Sequence, residues 1–188
     1  DVAPADALWL SLVAGIAAHD AVLRLTGSRA DIRWPNDLLI GEKKFGGILT
    51  ELNADATRVR FAVIGIGINV NHPRLPESLT AEATSLRIFA DHEFSRQALL
   101  VEILRSLDRE VNLLTRASGL PERQSARRDI LIRFESVSTW VRGRRVRVAE
   151  GGGYSGVTAG LDGQGFLLVE TKNGLRRVLS GGVRNEKE

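Results

Sequence analysis

The chain of 188 residues contains no cysteine and no methionine. Without cysteine there is no disulfide framework, no thiol nucleophile and no thiolate metal site, and a reducing cytoplasm is the expected compartment. Without methionine there is no initiator, so the opening Asp1-Val2-Ala3-Pro4 reads as a processed start or as part of a longer parent. Histidine is scarce: His19, His72 and His92 stand apart, with no metal-ligand spacing around them. Long apolar runs are missing too. The longest uncharged, apolar-leaning stretch, Ala7 to Ala18, is too short for a bilayer, and no basic residue precedes it as a signal peptide requires. Strong charge of one sign is also absent. A net charge of +3, mixed along the chain, implies a mild preference for anionic ligands and argues against a nucleic-acid binder. What remains, 43% hydrophobic and 26% charged residues, suffices for a buried core in one medium domain, or in a main domain with a small appendage.

Periodicity supplies the elements. Asp6 is placed to cap a helix reaching Leu25, with apolar residues at Leu8, Leu12, Ile16 and Leu23 and with Gly27 beyond its end. Ile32 to Trp34 reads as a strand stopped by Pro35. Leu38 to Ile40 and Phe45 to Leu52 read as a hairpin joined through Gly41-Glu42. Val59 to Val70 alternates and then turns continuously apolar, as a buried central strand does. From His72 to Ala83, two prolines and little periodicity predict a loop. Ser95 is placed to cap a helix to about Leu114, with Leu99, Leu100, Ile103, Leu104, Leu107, Val111 and Leu114 on one stripe. Pro121 opens another helix, to about Ser136. Beyond Val141 come short strands around Val146, Val148, Val157, Phe166 to Val169, and Val178-Leu179. Gly151-Gly152-Gly153, Asp162-Gly163 and Asn173-Gly174 separate them. That spacing predicts a small antiparallel barrel and a division into domains 1–139 and 140–188.

Two segments carry chemistry. Arg33-Trp34-Pro35-Asn36-Asp37 is, blandly, a strand end with a buried Trp and an Asx-type turn; functionally, it groups an aromatic, an amide and a carboxylate beside a cation, as a nucleotide site does. Lys44 precedes Gly46-Gly47-Ile48-Leu49. Strand alternation sends Lys44 to the face opposite Lys43 and Phe45, where a compact ammonium over bare backbone suits a carboxylate or phosphate. Gly46-Gly47 is either a bulge or a place where a ligand lies against the strand. Gly65-x-Gly67 is not a dinucleotide fingerprint, because Val70 occupies the third glycine position and no helix begins there. Glycines within a strand instead open space for a flat ligand, and Asn69 offers an amide suited to an adenine edge. Arg142, Arg144, Arg145 and Arg147 form a basic stripe, a solvated strand face or a surface for an acidic partner.

Taken in order, Arg33-Trp34-Pro35-Asn36-Asp37, Lys43 to Leu52 and Gly65-Ile66-Gly67-Ile68-Asn69-Val70 resemble the successive signatures of biotin–protein ligases, [KR]WPND, GxKxxGIL-x-E and GxGxN. The resemblance runs from Ala7 to Val183. It implies an α+β fold like that of class II aminoacyl-tRNA synthetases, a mixed sheet flanked by helices, with a C-terminal SH3-like barrel. It implies activation of biotin by ATP to biotinyl-5′-AMP and transfer to a lysine of a biotin carboxyl carrier domain. Lys44 corresponds to the family's essential lysine, contacting biotin and phosphate. Asp37 is then catalytic, as a Mg²⁺ ligand or as proton acceptor for the incoming amine. Gly47, Ile48, Gly65 and Gly67 would border biotin; Arg33, Trp34, Asn36 and Asn69 would face the nucleotide; the loop from His72 to Ala83 would close over the adenylate. ATP, biotin and Mg²⁺ are the implied small molecules, and a homodimer is left open. The family's GRGRxGR-type loop has no counterpart here, so the chain is expected to be the C-terminal two-thirds or so of a ligase, with its activity as a fragment left open. A lipoate-type ligase and a non-catalytic partner-binding fragment are the alternatives.

Overall fold

The computed structural model describes residues 7–54, 59–79, 82–115, 119–179 and 182–186; the helix cap expected at Asp6 lies outside them. Helix α1 (Ala7–Thr26) comes first, followed by a four-stranded sheet of β1 (Asp31–Arg33), β2 (Asp37–Ile40), β3 (Lys43–Ala54) and β4 (Val59–Ile68) in sequential order. A 3-10 turn (Glu77–Leu79) and helices α2 (Leu86–Ala90), α3 (Arg96–Thr115) and α4 (Leu120–Val137) lead to a second sheet. Its strands are β5 (Arg142–Val148), β6 (Tyr154–Leu161), β7 (Leu167–Thr171), β8 (Gly174–Val178) and β9 (Val183–Asn185), in the order β8-β7-β6-β5-β9. Among the described residues every strand pairing is antiparallel. The expected mixed character is confined, among the described residues, to one parallel bridge between Lys44 and Ala83. Nor does a pairing of β8 with β9 close the second sheet into a ring among those residues.

Helix α1 organises the core. It is long and apolar enough to cross a membrane by length and composition, since it continues past Ala18 to Thr26. Trp9, Leu12, Val13, Ile16, Ala17, Ala21 and Val22 are nevertheless buried inside the protein, against the first sheet, α3 and α4. Burying such side chains is worth about 1.5–3 kcal/mol each for the larger ones. His19 is buried in the same helix, and its Nδ1–H donates to the Ala30 carbonyl at 2.6 Å. On α3, Leu99 and Ile103 turn inward as expected, but Leu100 and Leu104 stand 56% and 55% exposed. The inward stripe is therefore narrower than the sequence pattern, because α1 covers only one side of α3.

The two sheets share a single cluster of buried apolar side chains, from Trp9 and Ile32 through Trp140 to Val146, Leu167 and Val183. Polar bonds seal the junction. Trp34 Nε1–H donates to Gly165 O at 2.9 Å, and Ser138 Oγ donates to Ile32 O at 2.5 Å. Asp31 accepts from the Thr139 amide at 2.9 Å and from the Thr139 hydroxyl at 2.5 Å. Gly165 (φ 88°) brings its turn so near α1 that a Cβ would sit 2.8 Å from Leu12 Cδ1.

A ring of four charges ties the helices together. Arg133 bonds Glu110 at 2.5 Å and Asp20 at 3.1 Å, while Arg109 bonds Asp20 at 2.6 Å and Glu110 at 3.0 Å. Glu110 is fully buried, so two guanidiniums are what make its charge tolerable there. Glu110→Gln is expected to cost about 1–3 kcal/mol, read as a lower thermal midpoint. Arg24→Ala, which breaks a partly exposed pair with Glu102, should leave the midpoint nearly unchanged in the same measurement.

Candidate active site

The site begins with a register shift. The turn between β2 and β3 uses positive φ at both Gly41 (54°) and Glu42 (68°), the backbone that matches a tight hairpin's twist. Pairing then runs Ile40 with Lys43 and Leu39 with Lys44, but next Leu38 with Gly46 and Asp37 with Gly47. Phe45 is the extra residue of a bulge. In a regular strand, Lys44 and Gly47, three positions apart, would face opposite sides. The bulge restores them to one side while Phe45 goes into the core. A Cβ on Gly47 would accordingly meet Lys44 Cε and Nζ at 3.4 Å. The ammonium lies over glycine backbone as expected, though the side chain is 45% exposed rather than buried.

One cross-strand row joins all four strands: Arg33 opposite Asp37, Asp37 opposite Gly47, and Gly47 opposite Gly67. Within it, Asp37 is the centre of charge. Its Oδ1 pairs with Lys44 Nζ, and its Oδ2 accepts from Arg33 Nη2 at 2.6 Å and Nε at 3.0 Å. Arg184 Nη1, from β9, stands 3.8 Å from the same Oδ2. Burial pushes this carboxyl up, but the hydrogen bonds from Lys44 and Arg33 and their charges together outweigh it and hold the group below its ordinary range. Three cations around one carboxylate leave a surplus of positive charge, suited to anionic substrates.

These contacts revise the expected roles of Asp37. A carboxylate held ionised by two cations is a poor proton acceptor at neutral pH. It also does not fit Mg²⁺, since both oxygens are already engaged by cations. The group that fits is an ammonium, and the structure supplies it.

The slot beside Lys44 has a cavity volume of about 490 Å³ and is bordered by Asn36, Asp37, Gly47, Leu49, Gly65 and Gly67 among others. Gly65 and Gly67 leave open space where side chains would stand, with no atom nearer than 3.8 Å to an added Cβ at either. Ile48 borders the slot but belongs to the core, and Asn36 grips its main chain from both sides, Nδ2 donating to Ile48 O at 2.6 Å and Asn36 O accepting from Ile48 N at 2.9 Å. Trp34 is a correction: the ring is buried at the junction and its N–H bonded to Gly165, so it offers no face for a nucleotide to stack upon. Asn69 lies at the end of β4, where Nδ2 donates to Thr84 O at 3.1 Å and its carbonyl accepts from Leu86 N at 2.9 Å. The segment from His72 to Ala83 contains the 3-10 turn, with residues 80–81 outside the described set. Its far end pins Lys44: the Lys44 amide donates to Glu82 O at 2.8 Å, and Thr84 N donates to Lys44 O at 2.9 Å.

Sequence reasoning missed Arg184, on β9 of the second sheet, and Trp140, in the turn between α4 and β5. With Arg33, Glu42, Lys44, Leu79 and Asn185 they border a cleft of about 330 Å³ between the two sheets. No local signal distinguishes Arg184 from other basic strand residues. Only the packing of β9 against the first sheet brings it in.

The helix-backed antiparallel sheet with its cationic glycine slot continues into a small β domain that supplies Arg184 to the site. Residues 2–69 match the biotin/lipoate A/B protein ligase family, and residues 142–183 match the biotin protein ligase C-terminal domain. Residues 2–69 thus carry a biotin/lipoate ligase-type domain and residues 142–183 a biotin protein ligase C-terminal domain. The chain is 34% identical over 177 residues to the bifunctional ligase/repressor BirA of Bacillus subtilis, covering 93% of this chain and 52% of that protein. It is 31% identical over 179 residues to the biotin–[acetyl-CoA-carboxylase] ligase of Mycobacterium tuberculosis, covering 93% of this chain and 60% of that one. The chain thus spans about half the length of the curated relatives it matches. Among solved structures, the apo biotin protein ligase of Aquifex aeolicus superposes with a TM-score of 0.83 at 28% identity, over 96% of this chain and 76% of that one. The same enzyme in complex with biotin and ATP gives 0.80 at 28% identity, over 95% and 72%.

Two outcomes follow from the geometry. Asp37 has a depressed folded pKa, so its stabilising pairs act fully above the unfolded-state value near 3.9 and are lost as pH falls through the folded one. The stability difference between wild type and Asp37→Asn, measured by denaturant unfolding, should be constant above about pH 5 and shrink below it. Glycine variants should separate floor from frame. Gly65→Val should fold normally while blocking the slot. In Gly46→Ala the new Cβ would lie 2.8 Å from Gly67 O, costing about 1–3 kcal/mol in unfolding free energy.

Proposed function

We propose that the full-length protein containing these residues is a biotin–protein ligase, which activates biotin with ATP and transfers it to a lysine of a biotin carboxyl carrier domain. The observation that carries this reading is the Lys44 ammonium, paired to Asp37, over the Gly47 backbone at a slot floored by Gly65 and Gly67. A carboxylate oxygen must form a bond to the α-phosphorus of ATP while the bond to the departing diphosphate breaks. Both reactants are anions, so a preformed surplus of positive charge lowers the barrier most. Lys44 would sit between the biotin carboxylate and the α-phosphate. Arg33 and Asp37 would hold it there, and Arg184 would add charge on the nucleotide side.

In the second step the carrier lysine nitrogen attacks the activated carbonyl carbon, AMP departs with the bonding pair, and the proton released by the amine passes to solvent water. The same cations would stabilise the leaving phosphate. The slot's bare glycine floor supports a flat bicyclic ligand, and the C-terminal domain supports biotin over lipoate, since that domain matches biotin protein ligases. Mg²⁺ enters only as the counter-ion that accompanies ATP. A cytoplasmic setting, where ATP is abundant, goes with this reading.

The test is incubation of the full-length protein with ATP, Mg²⁺ and labelled biotin or lipoate. Labelled biotinyl adenylate is expected, and no lipoyl adenylate; a lipoyl product would overturn the assignment. Lys44→Ala should slow adenylation roughly 10²–10³-fold, the scale of losing one transition-state donor. Its melting midpoint should change little, because the half-exposed side chain leaves Asp37 still held by Arg33.

A further inference from the structure

We propose that Arg144, on β5 of the C-terminal sheet, is a positioning residue for Lys44. It acts by two routes: through Glu42 at the tip of the β2–β3 hairpin, and through the Trp140 ring that it shares with Arg33. The proposal rests on the ligase reading and goes beyond it, because it makes the C-terminal sheet a mechanical support of the catalytic ammonium.

The first route starts from an anomaly of backbone. Glu42 holds φ at 68°, a left-handed conformation that hairpin turns of this kind ordinarily assign to glycine or asparagine. A glutamate there is disfavoured locally, and such outliers persist where the surroundings use them. The use is visible: Glu42 Oε2 accepts from Arg144 Nη2 at 2.5 Å, bridging the two sheets. Lys44 follows two residues later, after the last hairpin pair of Ile40 with Lys43. Any tilt of the turn is therefore transmitted to the Lys44 Cα.

An exposed ion pair alone would be weak, and the Glu42 side chain is 60% exposed. Arg144 differs from an ordinary surface arginine in being already immobilised. Its guanidinium stacks on Trp140 at 4.1 Å, its Nε donates to Asn185 Oδ1 at 2.8 Å, and its Nη1 donates to Thr139 Oγ1 at 3.2 Å. The entropy of fixing this side chain is spent on those contacts, so Glu42 meets a charge that is already oriented.

The second route runs through the indole. Trp140 is 2% exposed and carries Arg33 at 5.1 Å from its centroid as well as Arg144. Arg33 makes the two hydrogen bonds that orient Asp37, and Asp37 in turn holds Lys44. Lys44 is thus flanked on one side by the turn that Arg144 anchors, and on the other by the pair that the Trp140 stack anchors.

The test compares wild type, Glu42→Gly, Arg144→Ala and Arg144→Lys in the full-length protein. Single-turnover formation of biotinyl adenylate, thermal midpoint and amide hydrogen exchange are read in parallel. Glu42→Gly relieves the disfavoured backbone, so its midpoint should hold or rise while adenylation slows about tenfold, with kcat falling and KM for biotin nearly unchanged. Arg144→Ala should match that loss, and Arg144→Lys, which keeps charge without the planar stack, should fall between. Amide exchange across residues 43–47 should speed up in Glu42→Gly and Arg144→Ala while that of β6 and β7 stays at the wild-type level. A structural role alone would move stability and activity together, and rates within about twofold of wild type for both variants would overturn the proposal. Should the wild type form no biotinyl adenylate, the ligase reading fails; unchanged exchange at residues 43–47 would then independently overturn the coupling.

Discussion

Everything at the site depends on one carboxylate placed among cations. Lys44, Arg33 and Arg184 would repel one another if brought together bare, and Asp37 is what permits their proximity. Its two oxygens are used separately, one by the ammonium and one by the guanidinium, so that distance and orientation are fixed at once. The pairing leaves positive charge over. That surplus sits at the mouth of a slot whose floor has no side chains, where two anions can approach the main chain and each other.

The clustering depends in turn on how the sheets meet. Arg33, Asp37 and Lys44 belong to the first sheet, but Arg184 comes from the second and the Trp140 ring beneath Arg33 from the turn just before it. Trp34 and Ser138 lock that meeting with buried hydrogen bonds to Gly165 and Ile32, and Thr139 adds two at its exposed rim with Asp31. The C-terminal strands are therefore a wall of the site rather than an appended module, and the continuous apolar core says the same in terms of packing.

Much of this was legible in the sequence where local physics decides. The helices and most strands lie within a few residues of the positions that periodicity gives them, because a stripe or an alternation is a property of the segment itself. The pairing of Lys44 with a glycine-lined surface was legible for the same reason. Other features were not. A tryptophan beside an aspartate looks alike whether it faces a ligand or a neighbouring sheet, and Trp34 faces the sheet. Leu100 and Leu104 fit the α3 stripe, yet only the breadth of α1 decides which leucines are covered. Helix α2, one turn held by Ser85 accepting from Ile88 N, is too short for periodicity to register. The row of Arg33, Asp37, Gly47 and Gly67 is a product of register across four strands, which no single segment contains.

The bulge at Phe45 sets the limits within which this hairpin can vary. Whether an ammonium and a bare peptide share a face is a question of parity, since each added or removed residue exchanges the two sides of a strand. An odd separation with one inserted residue, or an even one with none, would both serve. An odd separation without the insertion, or an even one that kept it, would put the lysine and the glycine on opposite faces. The spacing between Lys44 and Gly47 is thus governed by odd and even counts rather than by reach.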